Sequence, residues 1–196
     1  MNMKKILAFV LCLVLVAGLS IAGTIAWLQD TSDTLTNTFT VGNINIELAE
    51  TDTKLDADDS ALTNSYKMVP GNEIAKDPEV TVKAGSEASY VFVKLVKSTD
   101  PAFDSYLEYE IAEGWKELTE GSGVYYREQA ALTADGADDA KYAVLKDNKV
   151  TVKETVTKEM MDSLTDKLPT LTITAYAIQK DNIASASAAW TELGVQ

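Results

Sequence analysis

The sequence predicts a mainly β protein, an antiparallel β-sandwich with short helices in its connections. Two segments, 90–96 and 171–178, combine β-branched and aromatic residues over the length of a strand. Shorter apolar segments lie around them, separated by Pro, Gly, Asn and Asp residues that favour turns. Many short strands with frequent turn residues are typical of sandwiches, because antiparallel neighbours need only tight connections.

The first strands follow a polar spacer. Residues 39–48 alternate between apolar and polar side chains, and Gly42 shifts the phase, which predicts a strand with a kink or bulge. Residues 70–71 are Pro-Gly, which favours a type II turn. The next strand is expected at 74–82, and Pro78 places it at a sheet edge or at a strand start, because proline lacks the backbone N–H.

The second half of the chain predicts further strands and two helices. Short strands are expected at 107–111, 115–118 and 124–127. Residues 142–145 and 150–156 flank Asp147-Asn148, which predicts a hairpin. Helices are expected at 158–168, with Thr157 as N-cap, and at 185–193, with Trp190 facing inward.

Residues 1–26 have the layout of a secretory signal peptide. Lys4 and Lys5 form a basic start, 6–17 is an apolar run, and small residues follow. A retained membrane anchor is the competing interpretation, because 6–28 is just long enough to span a bilayer. The lack of a basic stop-transfer patch favours cleavage and secretion, so that the protein contacts a membrane only through an uncleaved leader.

Two cleavage positions compete. Cleavage between Ala26 and Trp27 is preferred, and cleavage between Ala22 and Gly23 is the alternative, since a small residue precedes each bond. The chain then divides into a signal peptide at 1–26, an N-terminal arm at 27–38 and a β-sandwich domain at 39–196.

The composition excludes several classes of function. The net charge is −13, and loss of Lys4 and Lys5 with the leader takes it to −15, which argues against nucleic acid as a partner. The chain has no histidine, and its single cysteine, Cys12, lies in the leader. Nucleophilic triads, His/Cys zinc sites and disulfides are therefore unavailable to the mature protein, and we expect neither catalytic residues nor a cofactor.

One acidic stretch contains residues that could bind calcium. Asp56, Asp58 and Asp59 lie in the polar segment 50–64, and carboxylates are calcium ligands. The Asp-x-Asp-x-Asp-Gly pattern of calcium loops is absent. The sequence therefore favours a solvated loop, with these three residues as weak calcium candidates only.

The start of the chain resembles a known family. Residues 23–31 read Gly-Thr-Ile-Ala-Trp-Leu-Gln-Asp-Thr, and residues 37–42 read Asn-Thr-Phe-Thr-Val-Gly before an alternating strand. This order is similar to the beginning of the TasA/camelysin family, secreted proteins whose leaders are processed by a SipW-type signal peptidase. Leu28 departs from the pattern, since an aromatic residue is usual there. Residues 68–94 and the Ala-Tyr-Ala-Ile-Gln at 175–179 extend the resemblance into the domain.

The resemblance implies a jelly-roll-like β-sandwich and a structural role in the extracellular biofilm matrix. We expect the protein to polymerise with itself into fibres, with other matrix proteins as further partners. The expected route is strand donation, in which the arm joins a sheet edge of the next subunit. Its apolar anchors are Trp27, Leu28, Leu35 and Phe39. A disordered tail is the competing interpretation of the arm.

Two other functions remain open from the sequence. Camelysin-type relatives carry a peptidase label, but the His-Glu-x-x-His motif of zinc peptidases needs histidine, which this chain lacks. A membrane-tethered or surface-displayed binding module is the main alternative. Its ligand-facing patch would consist of four aromatic residues, which in strands more often belong to the core: Tyr90, Trp115, Tyr125 and Tyr126.

Overall fold

The computed structural model describes residues 42–51, 54–55, 62–164 and 167–195. All of them belong to the unit that spans Val41–Gln196. The prediction of a mainly β protein with short helices is confirmed. The strands are β1 (Ile46–Ala49), β2 (Lys54–Leu55), β3 (Leu62–Thr63), β4 (Glu73–Ala75), β5 (Glu79–Val82), β6 (Ser89–Lys97), β7 (Leu107–Glu108), β8 (Lys116–Glu117), β9 (Val124–Gln129), β10 (Ala140–Ala143), β11 (Lys149–Val152) and β12 (Leu171–Gln179). The helices are α1 (Phe103–Tyr106), α2 (Lys158–Asp162) and α3 (Ala186–Glu192).

The strands form three antiparallel sheets and one short ladder. The strand orders are β1-β5-β10, β4-β11-β7 and β12-β6-β9-β8, and β2 pairs with β3. The first two sheets are continuous along the chain, because β4 leads into β5 and β10 leads into β11. Two backbone bonds link them where they meet: Val144 N–H donates to Pro78 O at 2.9 Å and Lys76 N–H donates to Asn148 O at 2.8 Å.

The hairpin predicted around Asp147-Asn148 is wrong. β10 pairs with β5, and β11 pairs with β4, so the two flanking strands continue along the same neighbour instead of folding onto each other. Asp147 and Asn148 both have φ of 53°, and they lie in the 3-10 turn Lys146–Asn148. On the facing segment Pro78 has no N–H to pair. Residues 144–148 thus face only residues 76–78, so the extra residues form a bulge in a continued ladder and do not reverse the chain.

The two faces of β6 bury two separate cores. Val91, Val93 and Leu95 point into the larger core, which also contains valines from β5 and β11, so side chains of all three sheets meet there. Tyr90 and Phe92 point the opposite way into a smaller core. This division follows from the alternation of side chains along a strand, and it buries both faces of β6 over Ser89–Val93.

Helix α3 covers the smaller core. Its N-cap Ser185 accepts the N–H of Ala188 at 3.2 Å, as expected for serine before a helix. Trp190 lies 5.2 Å from Phe92 and 5.4 Å from Tyr176 between ring centroids. The predicted inward position of Trp190 is confirmed, and the helix places an aromatic residue over the outer face of β6 and β12.

The local predictions vary in accuracy. In the predicted Pro-Gly turn, Gly71 has φ of 79° and Asn72 N–H donates to Val69 O at 3.0 Å, as in a type II turn. Thr157 caps α2 as expected, since its side chain accepts the N–H of Met160, but α2 ends at Asp162 and is shorter than predicted. Helix α1 was not predicted. Pro78 splits the expected strand 74–82 into β4 and β5.

The burial of β6 generates a stability prediction. Val93 is 0% exposed and Val96 is 49% exposed on the same strand. Val93→Ala removes two buried methyl groups and leaves a cavity, so we expect a loss of about 2 kcal/mol in the free energy of unfolding. The matched control Val96→Ala should change it by less than about 0.5 kcal/mol. Urea denaturation measures both values, and equal losses would contradict the described packing.

Candidate functional site

β12 is a long edge strand whose sequence lacks the residues that usually protect such an edge. It pairs with β6 along all nine of its residues, and none of the other described strands pairs with its second edge. Its sequence, Leu-Thr-Ile-Thr-Ala-Tyr-Ala-Ile-Gln, contains no charge, no proline and no glycine. Natural edge strands are commonly blunted by charges, prolines or bulges, because an open edge invites pairing with another chain. β12 therefore has the properties of an acceptor for an added strand.

The hydrogen bonds of β12 define which backbone groups are free. Ser98 N–H donates to Thr170 O at 2.9 Å, and Lys180 N–H donates to Ala88 O at 2.8 Å. Backbone groups alternate in direction along an antiparallel ladder, so even-numbered residues of β12 bond to β6 and odd-numbered residues point away from it. The residues whose N–H and C=O point to the open edge are Leu171, Ile173, Ala175, Ala177 and Gln179.

A second open edge lies beside the first. Lys83 N–H donates to Asn45 O at 2.9 Å, so by the same alternation Ile46 and Leu48 of β1 turn their backbone groups away from β5. Cα atoms of β1 and β12 approach within 8 Å, although the two strands belong to different sheets. We call these two facing edges, Ile46–Ala49 and Leu171–Gln179, the β1–β12 seam.

A groove lies at the end of the seam where β12 ends. It has a volume of about 780 Å³, and we call it the entry groove, because Gly42 is the first described residue of the domain. Its lining residues are Gly42, Asn43, Ile44, Glu87, Ala177, Ile178, Gln179, Asp181, Asn182, Ile183 and Glu192. Among the ion pairs of the described residues, none includes Glu87, Asp181 or Glu192. The groove thus combines apolar side chains with three carboxylates that form none of these ion pairs.

Backbone bonds hold the start of the domain in place at this groove. Asn43 O accepts the N–H of Glu87 at 2.9 Å, and Asn45 N–H donates to the Oγ of Ser86 at 3.1 Å. Ser86 is buried, and it follows Gly85, whose φ of 85° allows the turn at this point. The chain therefore enters the domain along a fixed path beside β12.

One lysine links three elements near the seam. Lys83 Nζ lies 2.7 Å from Glu47 Oε2 and 3.4 Å from Asp139 Oδ2, and Asp139 also accepts the N–H of Ala84 at 2.8 Å. The hydrogen bond from Lys83 lowers the pKa of Glu47 below its usual 4.5. The pKa of Asp139 lies below its usual 3.8, chiefly because of the Ala84 N–H. The bond to Glu47 raises the pKa of Lys83 above 10.5.

The aromatic residues proposed as a binding patch do not share one surface. Tyr90 and Tyr126 belong to the smaller core, whereas Trp115 and Tyr125 belong to the larger one, on the opposite face of the sheet. Tyr90 and Trp115 are buried. The sequence favoured core positions over a ligand-facing patch for these residues, and the structure places all four in or against the two cores. Alternation along β9 directs Tyr125 and Tyr126 to opposite faces.

Arg127 is the only arginine of the chain, and the sequence analysis missed it. Its guanidinium lies 3.4 Å from the ring centroid of Tyr142 and 5.3 Å from that of Trp115. Trp115 is fixed in turn, since its Nε1–H donates to Ala143 O at 2.9 Å. Burial lowers the pKa of Arg127. Arg127 thus joins β9 to β10 by cation–π contacts. The sequence alone does not predict these contacts, because the residues that meet are not neighbours in the chain.

The residues predicted for cleavage, strand donation and calcium binding lie outside the described residues. They are Ala22, Gly23, Ala26, Trp27, Leu28, Leu35, Phe39, Asp56, Asp58 and Asp59. Within the described ranges, no group of three or more Asp or Glu residues is arranged to hold a metal ion. No helix in those ranges combines the length and hydropathy that a membrane span requires.

Comparisons of the chain with protein-family models, with curated proteins and with solved structures found no significant match. The described residues form a mainly β domain of three antiparallel sheets, and its uncharged edge strand β12 ends at the groove that Gly42 also lines.

The ion pairs of Lys83 generate a pH prediction. Glu47 and Asp139 have lowered pKa values, so their pairing stabilises the fold above about pH 4.5 and is lost as the pH falls through their folded values. We expect the unfolding temperature of the protein to fall between about pH 6 and about pH 3, as the two carboxylates become protonated. It should fall less in Lys83→Met, which has no ion pair at this position to lose. Differential scanning calorimetry measures this difference.

The control for this prediction is Lys67→Met, since Lys67 is exposed and forms none of the ion pairs found among the described residues. Its pH dependence should match that of the unmodified protein. If the unfolding temperatures of the unmodified protein and of Lys83→Met fall in parallel with pH, the ion pairs of Lys83 contribute nothing to the pH dependence of stability.

Proposed function

We propose that the chain is a secreted structural subunit of an extracellular biofilm matrix, which polymerises into fibres by N-terminal strand donation after its leader is removed. The observation that carries the proposal is the free edge of β12, which is uncharged over nine residues. An added strand gains backbone hydrogen bonds along such an edge, and side-chain pockets then provide specificity. The donor is the arm at 27–38 with its anchors Trp27, Leu28, Leu35 and Phe39.

The dimensions of the chain support this proposal. Residues 27–41 span about 50 Å when extended, and a nine-residue strand such as β12 spans about 30 Å. The arm is thus long enough to leave one subunit and to pair along β12 of the next. A contact in which each subunit donates to the next and accepts from the previous one is heterologous, so it produces filaments rather than closed dimers.

Membership of the TasA/camelysin family and a jelly-roll topology belong to the same proposal. Nested antiparallel pairs support the topology: β8 pairs with β9, β7 pairs with β11, and β6 pairs with β12. Nested pairing of this kind arises when a long hairpin winds around a sandwich, as in jelly rolls. The SipW-type signal peptidase is the proposed processing enzyme, and other matrix proteins are further proposed partners.

The experiment compares fibre formation by the mature chain with that of two variants. Ala175→Pro removes a backbone N–H that faces the open edge of β12, without removing a bond to β6, so the variant should lose the acceptor edge and form no fibres. A chain that lacks 27–36 retains the acceptor but has no donor, and it should stay monomeric. Electron microscopy and sedimentation velocity measure both outcomes.

Glu117→Pro is the matched control, because the register of β8 with β9 turns Glu117 N–H toward the opposite edge of the same sheet. It should form fibres like the unmodified chain. Circular dichroism establishes that each variant is folded. Fibres formed by the chain that lacks 27–36 would contradict strand donation. N-terminal sequencing of the exported protein completes the test, since an intact Met1 would support a membrane-tethered module instead.

A further inference from the structure

We infer that the entry groove of one subunit binds the free N-terminal ammonium group of the arm of its neighbour, so that leader cleavage itself creates the ligand. The inference rests on the proposed function and assigns a role to the groove, which strand pairing alone does not explain. Its occupant is a second copy of this chain, represented by Trp27 and Leu28 with the amine that cleavage after Ala26 exposes.

The direction of the chain places the N-terminus of the arm at the groove. Each arm leaves its own domain at Gly42, beside that domain's entry groove. In the simplest head-to-tail fibre all subunits keep one orientation, so the arm extends away from its own groove and meets β12 of the next subunit at Leu171. It then runs antiparallel to β12, and its first residues arrive where β12 ends, at Gln179. That end of β12 lines the next subunit's groove.

The chemistry of the groove fits this occupant. Glu87, Asp181 and Glu192 supply negative charge, and Ile44 and Ile183 supply apolar surface. An α-amino group has a pKa near 8 and is mostly protonated at neutral pH. The mature arm therefore presents a cation directly attached to an indole-bearing residue, whereas the uncleaved chain presents a neutral amide at the same position.

The other charges of the arm do not compete for this position. Asp30 and Asp33 follow Trp27 by three and six residues, which corresponds to about 10 and 20 Å in an extended strand. At about 0.1 M ionic strength such distances reach or exceed the screening length. Of the charges in the arm, the ammonium group therefore interacts most strongly with the groove carboxylates. It is also the only cation of the arm, because residues 27–41 contain no lysine or arginine.

The test compares two forms of the mature chain that begins at Trp27, one with a free amine and one with an Nα-acetyl group. Both retain every residue of the arm. We expect acetylation to raise the critical concentration for fibre formation about fivefold, the effect of an ion pair at a partly exposed site. Sedimentation after assembly measures the critical concentration.

A triple variant assigns the effect to the groove. In Glu87→Gln/Asp181→Asn/Glu192→Gln, the free and acetylated chains should assemble at the same concentration. The control Glu120→Gln/Asp135→Asn/Glu154→Gln changes the net charge equally, at exposed carboxylates that form none of the described ion pairs and do not line the groove. It should retain the fivefold difference.

The outcomes separate this inference from the proposed function. Fibres that form equally well from free and acetylated chains overturn the inference and leave strand donation intact. A fivefold difference that persists in the groove variant overturns it as well, because the amine would then bind elsewhere. The absence of fibres from the free chain contradicts the proposed function and, with it, the inference.

Discussion

The constraint on which the structure depends is the enclosure of β6. One face of this strand lies in the core shared by the three sheets, and the other lies under α3. Both of its edges are paired, to β12 and to β9. A strand enclosed in this way must be apolar on both faces, which explains the continuous Tyr-Val-Phe-Val run in the sequence. The remaining elements are arranged to cover it.

The same arrangement leaves β12 open. β12 satisfies its even-numbered backbone groups through β6, while its odd-numbered groups face an edge that β1 approaches without joining. Closing that edge within one subunit would remove the possibility of joining copies through it. The proposed assembly would account for an edge that is uncharged, long and adjacent to the N-terminal entry, because edges of isolated domains are usually protected.

The sequence was sufficient for the elements whose structure depends on local chemistry. β6 and β12 were predicted from β-branched and aromatic residues, and the Gly71 turn and the Thr157 cap from residue types with specific backbone preferences. Pairing between distant segments was not predictable in this way. The bulge at Asp147-Asn148 was mistaken for a hairpin, because the turn residues alone do not reveal that β5 and β4 lie opposite.

The candidate site was only partly predictable for the same reason. The arm and its anchors follow from the sequence, but the acceptor edge depends on strand order, and the entry groove brings together residues from positions 42 to 192. Neither the acceptor edge nor the entry groove corresponds to a contiguous motif in the sequence. Tyr125 and Tyr126 do not form one aromatic patch, because alternation on a strand directs neighbouring side chains to opposite faces.

The most direct test of the account is residue-resolved hydrogen exchange of the backbone amides in β12, measured in the monomer and in the assembled state. The account predicts that the even-numbered amides are protected in both states, since they bond to β6. The odd-numbered amides should exchange rapidly in the monomer and become protected on assembly; they are Leu171, Ile173, Ala175, Ala177 and Gln179. Odd-numbered amides that remain unprotected in fibres would contradict the claim that this edge joins the subunits.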